Sequence, residues 1–281
     1  MDAEHEVDIT EVEYLRHGAK PFLARVFMPR GKGPFPAVVD AHGGAWCEGT
    51  RTNNDAINGA VARGGVVVAA LDFRNPPDAT YPGSVADVNY GVRWLKSQAA
   101  RFNTRPEMVG GMGTSSGGHL VVLNGLKPRD PRYAALPLPG FDARVRYVVA
   151  LWPVICPLGR YRDRVAAAQG RRPEGAAAMQ MKYWLTEDAM GEGSPTLALE
   201  RGDAVELPHI LYLQNPIDTL HPRANLEQFV ANYRKRGGQV QVEFFEGAAY
   251  DLVRTDPTSQ SARQAIRKIV DFIHRETARE G

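Results

Sequence analysis

The sequence predicts an α/β domain built on a mostly parallel sheet that an antiparallel hairpin opens, and three observations lead there. Short apolar runs such as PAVVDA (36–41) and VRYVVALW (145–152) lack polar alternation, as strands covered on both faces do. Longer stretches with apolar residues three and four apart alternate with those runs. A chain of 281 residues, 43% of them hydrophobic, is long enough to bury one substantial core.

Taken in order, VDITEVEYL (7–15) and PFLARVFM (21–28) read as two strands joined by the turn His17-Gly18-Ala19-Lys20. Further strands are expected at 36–41, 65–73, 108–113, 145–152, 209–214 and 240–246, eight in all. Helices are expected near 53–63, 85–102, 116–126, 223–236 and 258–276. The last carries the stripe Ala262, Ile266, Ile269, Val270 and Ile273, spaced to dock on a sheet. Residues 154–206 break the rhythm with about fifty residues where a simple crossover needs far fewer. They read as a helical, cap-like insertion over a site within one domain spanning 1–281.

Charge and cysteine content narrow the function classes. Thirty-four basic against 32 acidic residues give +2, no general reason to expect nucleic acid as a partner. Cys47 and Cys156, far apart in the chain, do not suit a disulfide scaffold. The N-terminal MDAEHEVDITEVEYL lacks a basic, apolar leader pattern, and no apolar run approaches membrane-spanning length. The expectation is a soluble, cytoplasmic protein without metal or other cofactor, with a homodimer as its candidate assembly, acting on a small molecule with neither membrane nor nucleic acid as partner.

The chemistry is expected at Gly113-Thr114-Ser115-Ser116-Gly117, a G-x-S-x-G motif between an apolar strand and a helical pattern. A sharp strand-to-helix turn lifts such a serine hydroxyl above the sheet and aims a helix N-terminus at developing negative charge. After the strand PAVVDA comes His42-Gly43-Gly44-Ala45-Trp46. Glycines there leave backbone N–H groups free to face an oxyanion, so Gly43, Gly44 and Ala45, with Ser116, are the expected donors.

With HGGAW, GTSSG and DFRNPPDATYPGSVADV (72–88), the chain resembles the α/β-hydrolase superfamily over about residues 20–275. It is most similar to hormone-sensitive-lipase-like esterases and to related HGG-x-W carboxylesterases and kynurenine formamidases. The resemblance implies an α/β-hydrolase fold with a mostly parallel, eight-stranded sheet flanked by helices. It also implies a serine carboxylic-ester hydrolase acting through an acyl-enzyme, with an amide or aryl-formamide as a close variant of the substrate; the modest pocket that an HGG-type loop opens points to a small or aromatic ester. The triad order is Ser, acid, His. The acid then falls in the loop after 209–214, where Asp218 is the only carboxylate; an Asx-turn is its alternative use.

The histidine implied after the last strand is missing. Glu246-Gly247-Ala248-Ala249-Tyr250 puts Tyr250 in its place. A phenol, with a pKa near 10, is a poor acceptor for a serine proton at neutral pH. On this reading the framework is impaired or re-purposed unless another base serves. The alternatives are a ligand-binding pseudoenzyme, or a lyase or isomerase using Tyr250 as acid. His221 is the best spare imidazole, but its position before Pro222 reads more as a fixed pocket wall. His42 is expected to support the glycine loop, His119 to face the core and His274 the surface. Trp46, Trp152 and Trp184 are candidate pocket residues. Arg160, Arg162, Arg164, Arg171 and Arg172 of the insert read as a solvated basic face, or else as an attractor for an anionic substrate.

Overall fold

The computed structural model describes residues 4–169 and 174–279. Its eight strands are β1 (Val7–His17), β2 (Lys20–Pro29), β3 (Ala37–Ala41), β4 (Val67–Leu71), β5 (Val109–Thr114), β6 (Tyr147–Leu151), β7 (His209–Gln214) and β8 (Val240–Phe244). They form one sheet in the order β1-β2-β4-β3-β5-β6-β7-β8. β1 pairs antiparallel with β2, and β2 antiparallel with β4, while every pairing from β4 to β8 is parallel. All eight strands coincide with the apolar runs expected from the sequence.

Helices cover both faces. α1 (Asp55–Arg63) and α10 (Gln260–Ala278) lie on one; α2 (Gly83–Ser97), α3 (Ser116–Leu126) and α8 (Arg223–Lys235) lie on the other. The strand pleat divides the core between them. Ala37, Val39 and Ala41 of β3 join the α2/α3/α8 side, whereas Val38 joins Ile57, Val61 and the α10 stripe Ala265, Ile266, Ile269 and Ile273. Burial on both faces explains why these strands show no alternation in sequence. The insert between β6 and β7 holds α4 (Pro157–Ala167), α5 (Ala176–Trp184), α6 (Glu187–Glu192) and α7 (Pro195–Arg201). Arg171 and Arg172 fall outside the described residues. One element was not anticipated: the single turn α9 (Leu252–Thr255) after β8, too short to leave a periodic pattern.

Candidate active site

The strand β5 ends in a sharp backbone turn. Ser115 sits at φ +51°, ψ −116°, a strained geometry for a residue with a side chain, and α3 begins at the next residue. Gly117 permits the turn, because a Cβ there would lie 2.0 Å from the carbonyl oxygen of Ala41 in β3. The amide of Ser115 donates to the Leu151 carbonyl and its own carbonyl accepts from Val154, at 2.9 and 3.0 Å, tying the turn to the end of β6.

The side chain facing Ser115 comes from the loop after β7. His221 Nε2 lies 3.0 Å from Ser115 Oγ, and His221 Nδ1 lies 2.7 Å from Asp218 Oδ2. An ionised carboxylate only accepts, so Nδ1 carries the ring proton and Nε2 presents its lone pair to the serine hydroxyl. The other oxygen, Asp218 Oδ1, accepts the backbone N–H groups of Leu220 and His221 at 2.8 and 3.0 Å. The Asx-turn and the acid role suggested for Asp218 are therefore compatible in one side chain. Gln214 donates to the His221 carbonyl, and Pro222 restricts the residue before it, so the imidazole is fixed from both sides. Asp218 and His221 are both buried. Burial pushes the His221 pKa below the ordinary histidine value; the Asp218 hydrogen bond and charge counter this in part, and the Arg160 and Arg164 charges add to the lowering.

The expectation that Tyr250 would meet the serine is corrected by this geometry. Tyr250 makes no hydrogen bond among the described residues. Its ring packs beside the imidazole, with centroids 5.7 Å from His221 and 6.4 Å from Trp152. Asn215 Nδ2 donates to the carbonyls of Gly247 and Ala249, which holds the Tyr250 loop beside the Asp218 loop. The sequence reading looked for the histidine after β8 and discounted one only three residues past the acid. The i, i+3 spacing of Asp218 and His221 was the signal available.

The glycine loop after β3 runs through three successive positive φ values, +119° at Gly44, +49° at Ala45 and +60° at Trp46. Gly44 is required, since a Cβ there would meet the Glu48 carbonyl oxygen at 2.0 Å. Of the four expected donors, Gly43 needs correction: its amide donates to Thr114 Oγ1 at 3.0 Å. Gly44 and Ala45 donate to no protein acceptor among the described residues, and Ser116 at the first turn of α3 has no intrahelical acceptor for its N–H. The Gly43 contact opens a buried chain that sequence reading missed. Thr114 Oγ1 reaches Asn54 Oδ1 at 3.3 Å, Asn54 Nδ2 donates to both Asp40 oxygens at 3.1 Å, and Asn58 Nδ2 donates to Asp40 Oδ2 at 2.9 Å. Burial raises the Asp40 carboxyl to about 6, although both asparagines oppose it.

His42 stacks on Phe73 with centroids 4.2 Å apart, and His119 accepts from Trp46 Nε1 at 3.1 Å while donating from Nε2 to the Gly193 carbonyl at 2.8 Å. Both rings are buried and held neutral, their pKa values pushed down to about 4 by loss of water. Their supporting and core positions match the sequence reading, as does the exposed His274. The three tryptophans do not form open pocket walls: Trp46, Trp152 and Trp184 are 1%, 2% and 1% exposed. Trp46 stacks on Tyr183 and meets Trp184 edge-on, joining the glycine loop to α5 through an aromatic cluster.

Known proteins share this fold. The BD-FAE family model matches residues 25–154, from β2 through the glycine loop and the serine turn. An esterase of Pyrobaculum calidifontis superposes with a TM-score of 0.75 over 98% of this chain and 87% of its own, at 22% identity. A thermostable esterase from Pseudomonas putida gives 0.76 over 98% and 84%, at 20% identity. The chain has the α/β-hydrolase fold of these esterases. Its relatives by sequence include Esterase LipC of Mycobacterium tuberculosis, 27% identical over 87% of this chain. The probable carboxylic ester hydrolase LipM of the same organism is 30% identical over 54%. The chain spans 60% of the length of LipC and 35% of that of LipM. No helix among the described residues is long and apolar enough to cross a membrane, and no cluster of potential metal ligands occurs among them.

Proposed function

We propose that the protein is a serine carboxylic-ester hydrolase in which Ser115 is the nucleophile, His221 the general base and Asp218 the orienting acid. The observation that carries this reading is the line Ser115 Oγ, His221 Nε2, His221 Nδ1, Asp218 Oδ2, with hydrogen-bond distances of 3.0 and 2.7 Å. In the first half-reaction Ser115 Oγ bonds to the ester carbonyl carbon as its proton passes to His221 Nε2. The carbonyl electron pair moves onto oxygen, where the amides of Gly44, Ala45 and Ser116 receive the charge. Collapse breaks the bond to the alcohol oxygen, which takes the proton from His221 and leaves an acyl group on Ser115. Water then repeats the sequence, giving the acid and restoring the serine hydroxyl. The insert supplies the cap: its aromatic cluster with Trp46 braces the loop that carries two of the three oxyanion donors.

Esterase relatives support a small-molecule ester as substrate. The histidine within reach of Ser115 removes the reason to invoke a lyase or a pseudoenzyme. The test is labelling with a fluorophosphonate beside hydrolysis of p-nitrophenyl butyrate. The wild type is expected to be labelled on Ser115 and to turn the ester over, and Ser115→Ala to do neither. Absence of Ser115-dependent labelling and turnover in the wild type contradicts the reading.

A further inference from the structure

The insert's arginines do not share one environment. Arg162 is exposed and pairs with Glu187 at 2.7 Å, as a solvated basic face would. Arg160, two residues earlier on α4, is 4% exposed, and no carboxylate among the described residues pairs with it. Its Nε and Nη2 both donate to a single acceptor, Gln180 Oε1, at 3.2 and 3.0 Å. Gln180 is itself fixed by donating to the Pro157 carbonyl. Of the five N–H groups on the guanidinium, two are used, and Nη1 has no protein acceptor among the described residues.

Other inward-facing arginines of the molecule are better satisfied. Arg74 pairs with Asp87 and Arg51 with Asp72, while Arg93 reaches the Leu136 and Leu138 carbonyls. A buried cation without a counter-charge is costly, and the cost falls when an anion arrives.

Arg160 also lies at the site. Its guanidinium is 5.5 Å from the centre of the Trp46 ring, next to Ala45 in the glycine loop. α4 begins just after Val154, whose amide bonds the Ser115 carbonyl. Its charge acts on His221, Asp218 and Tyr250. Arg164, one turn further along α4, is half-buried, forms no ion pair among the described residues, and also acts on His221.

We propose that Arg160, assisted by Arg164, is a specificity site for a carboxylate carried by the substrate, so that the preferred ester is the monoester of a dicarboxylic acid or another acid-bearing ester. The guanidinium's unused edge would receive the carboxylate oxygens, while the ester carbonyl sits over Ser115. This inference rests on the ester-hydrolase reading above and names the class of ester.

The test compares p-nitrophenyl monosuccinate with p-nitrophenyl pentanoate, similar in length, one anionic and one neutral. The wild type is expected to show at least a tenfold higher kcat/KM for the succinate. In Arg160→Gln the succinate-to-pentanoate ratio should fall about 10- to 100-fold, the worth of one or two hydrogen bonds to a charged group. A ratio is unaffected by the fraction of folded enzyme. Should Arg160→Gln not fold, Arg164→Gln is expected to lower the ratio severalfold, with the change in KM for the succinate. Ser115-dependent hydrolysis of both esters with no preference for the anion, or a ratio unmoved by these substitutions, overturns the inference and leaves the hydrolase reading standing. Failure of both esters to react at Ser115 overturns the two together.

Discussion

His221 is held neutral at Nε2 by effects that oppose one another. Burial and the arginines of α4 disfavour a second proton, whereas the Asp218 carboxylate favours one, and the balance lies below the ordinary histidine value. A general base works only when unprotonated, so activity falls as pH drops through its pKa. The acid limb of kcat/KM against pH for a neutral ester is therefore expected to have its midpoint below about 6.5, the ordinary value. A midpoint above 7 would contradict this account of His221. Ser115 and the glycine loop could be singled out in the sequence because each lies in a motif whose spacing backbone geometry enforces, whereas Asp218 was singled out through the resemblance, as the only carboxylate in the loop after 209–214. His221 was legible only as a spare. A side chain on a turn can point to a pocket or away from it, and Pro222 and Gln214 decide which through contacts that no local pattern encodes.

Two glycines hold the backbone at the strand ends in ways that can be tested separately. A Cβ at Gly117 would enter the space of the Ala41 carbonyl, so Gly117→Ala is expected to destabilise the protein by about 3 kcal/mol, read as a lower urea midpoint. Gly44 lies in the loop after β3, where a Cβ would displace the Glu48 carbonyl and turn the Gly44 and Ala45 amides. Gly44→Ala should lower kcat about 10²- to 10³-fold while the circular dichroism spectrum is retained. Behind that loop, Asp40→Ala would leave the Asn54 and Asn58 amides without their acceptor and cost about 3 kcal/mol, measured by the same denaturation. The strands and principal helices could be placed from sequence since burial on one or both faces writes a period into the chain. The Asp40–Asn54–Thr114–Gly43 chain could not, as it joins four segments whose polar residues look like ordinary loop composition.

Across the whole molecule, buried titratable groups couple the fold to pH. His42 and His119 have pKa values near 4 in the folded state against about 6.5 unfolded, so between those values the unfolded chain binds more protons. Stability that is fully present above pH 6.5 is thus lost as pH falls towards 4, by about 3 kcal/mol for each ring. Asp40 acts in the opposite sense, its raised pKa of about 6 meaning that the folded state takes up a proton first. Two histidines outweigh one carboxyl, and Tm is expected to fall between pH 7 and pH 4.5; a Tm that rises over that range would contradict the burial of the two rings. The most direct test of the central claim is kcat for p-nitrophenyl butyrate in His221→Ala and Tyr250→Phe beside the wild type. With His221 as the base, the first should lose about 10⁴- to 10⁶-fold and the second less than tenfold. Near-wild-type turnover in His221→Ala, or an equally severe loss in Tyr250→Phe, would contradict it.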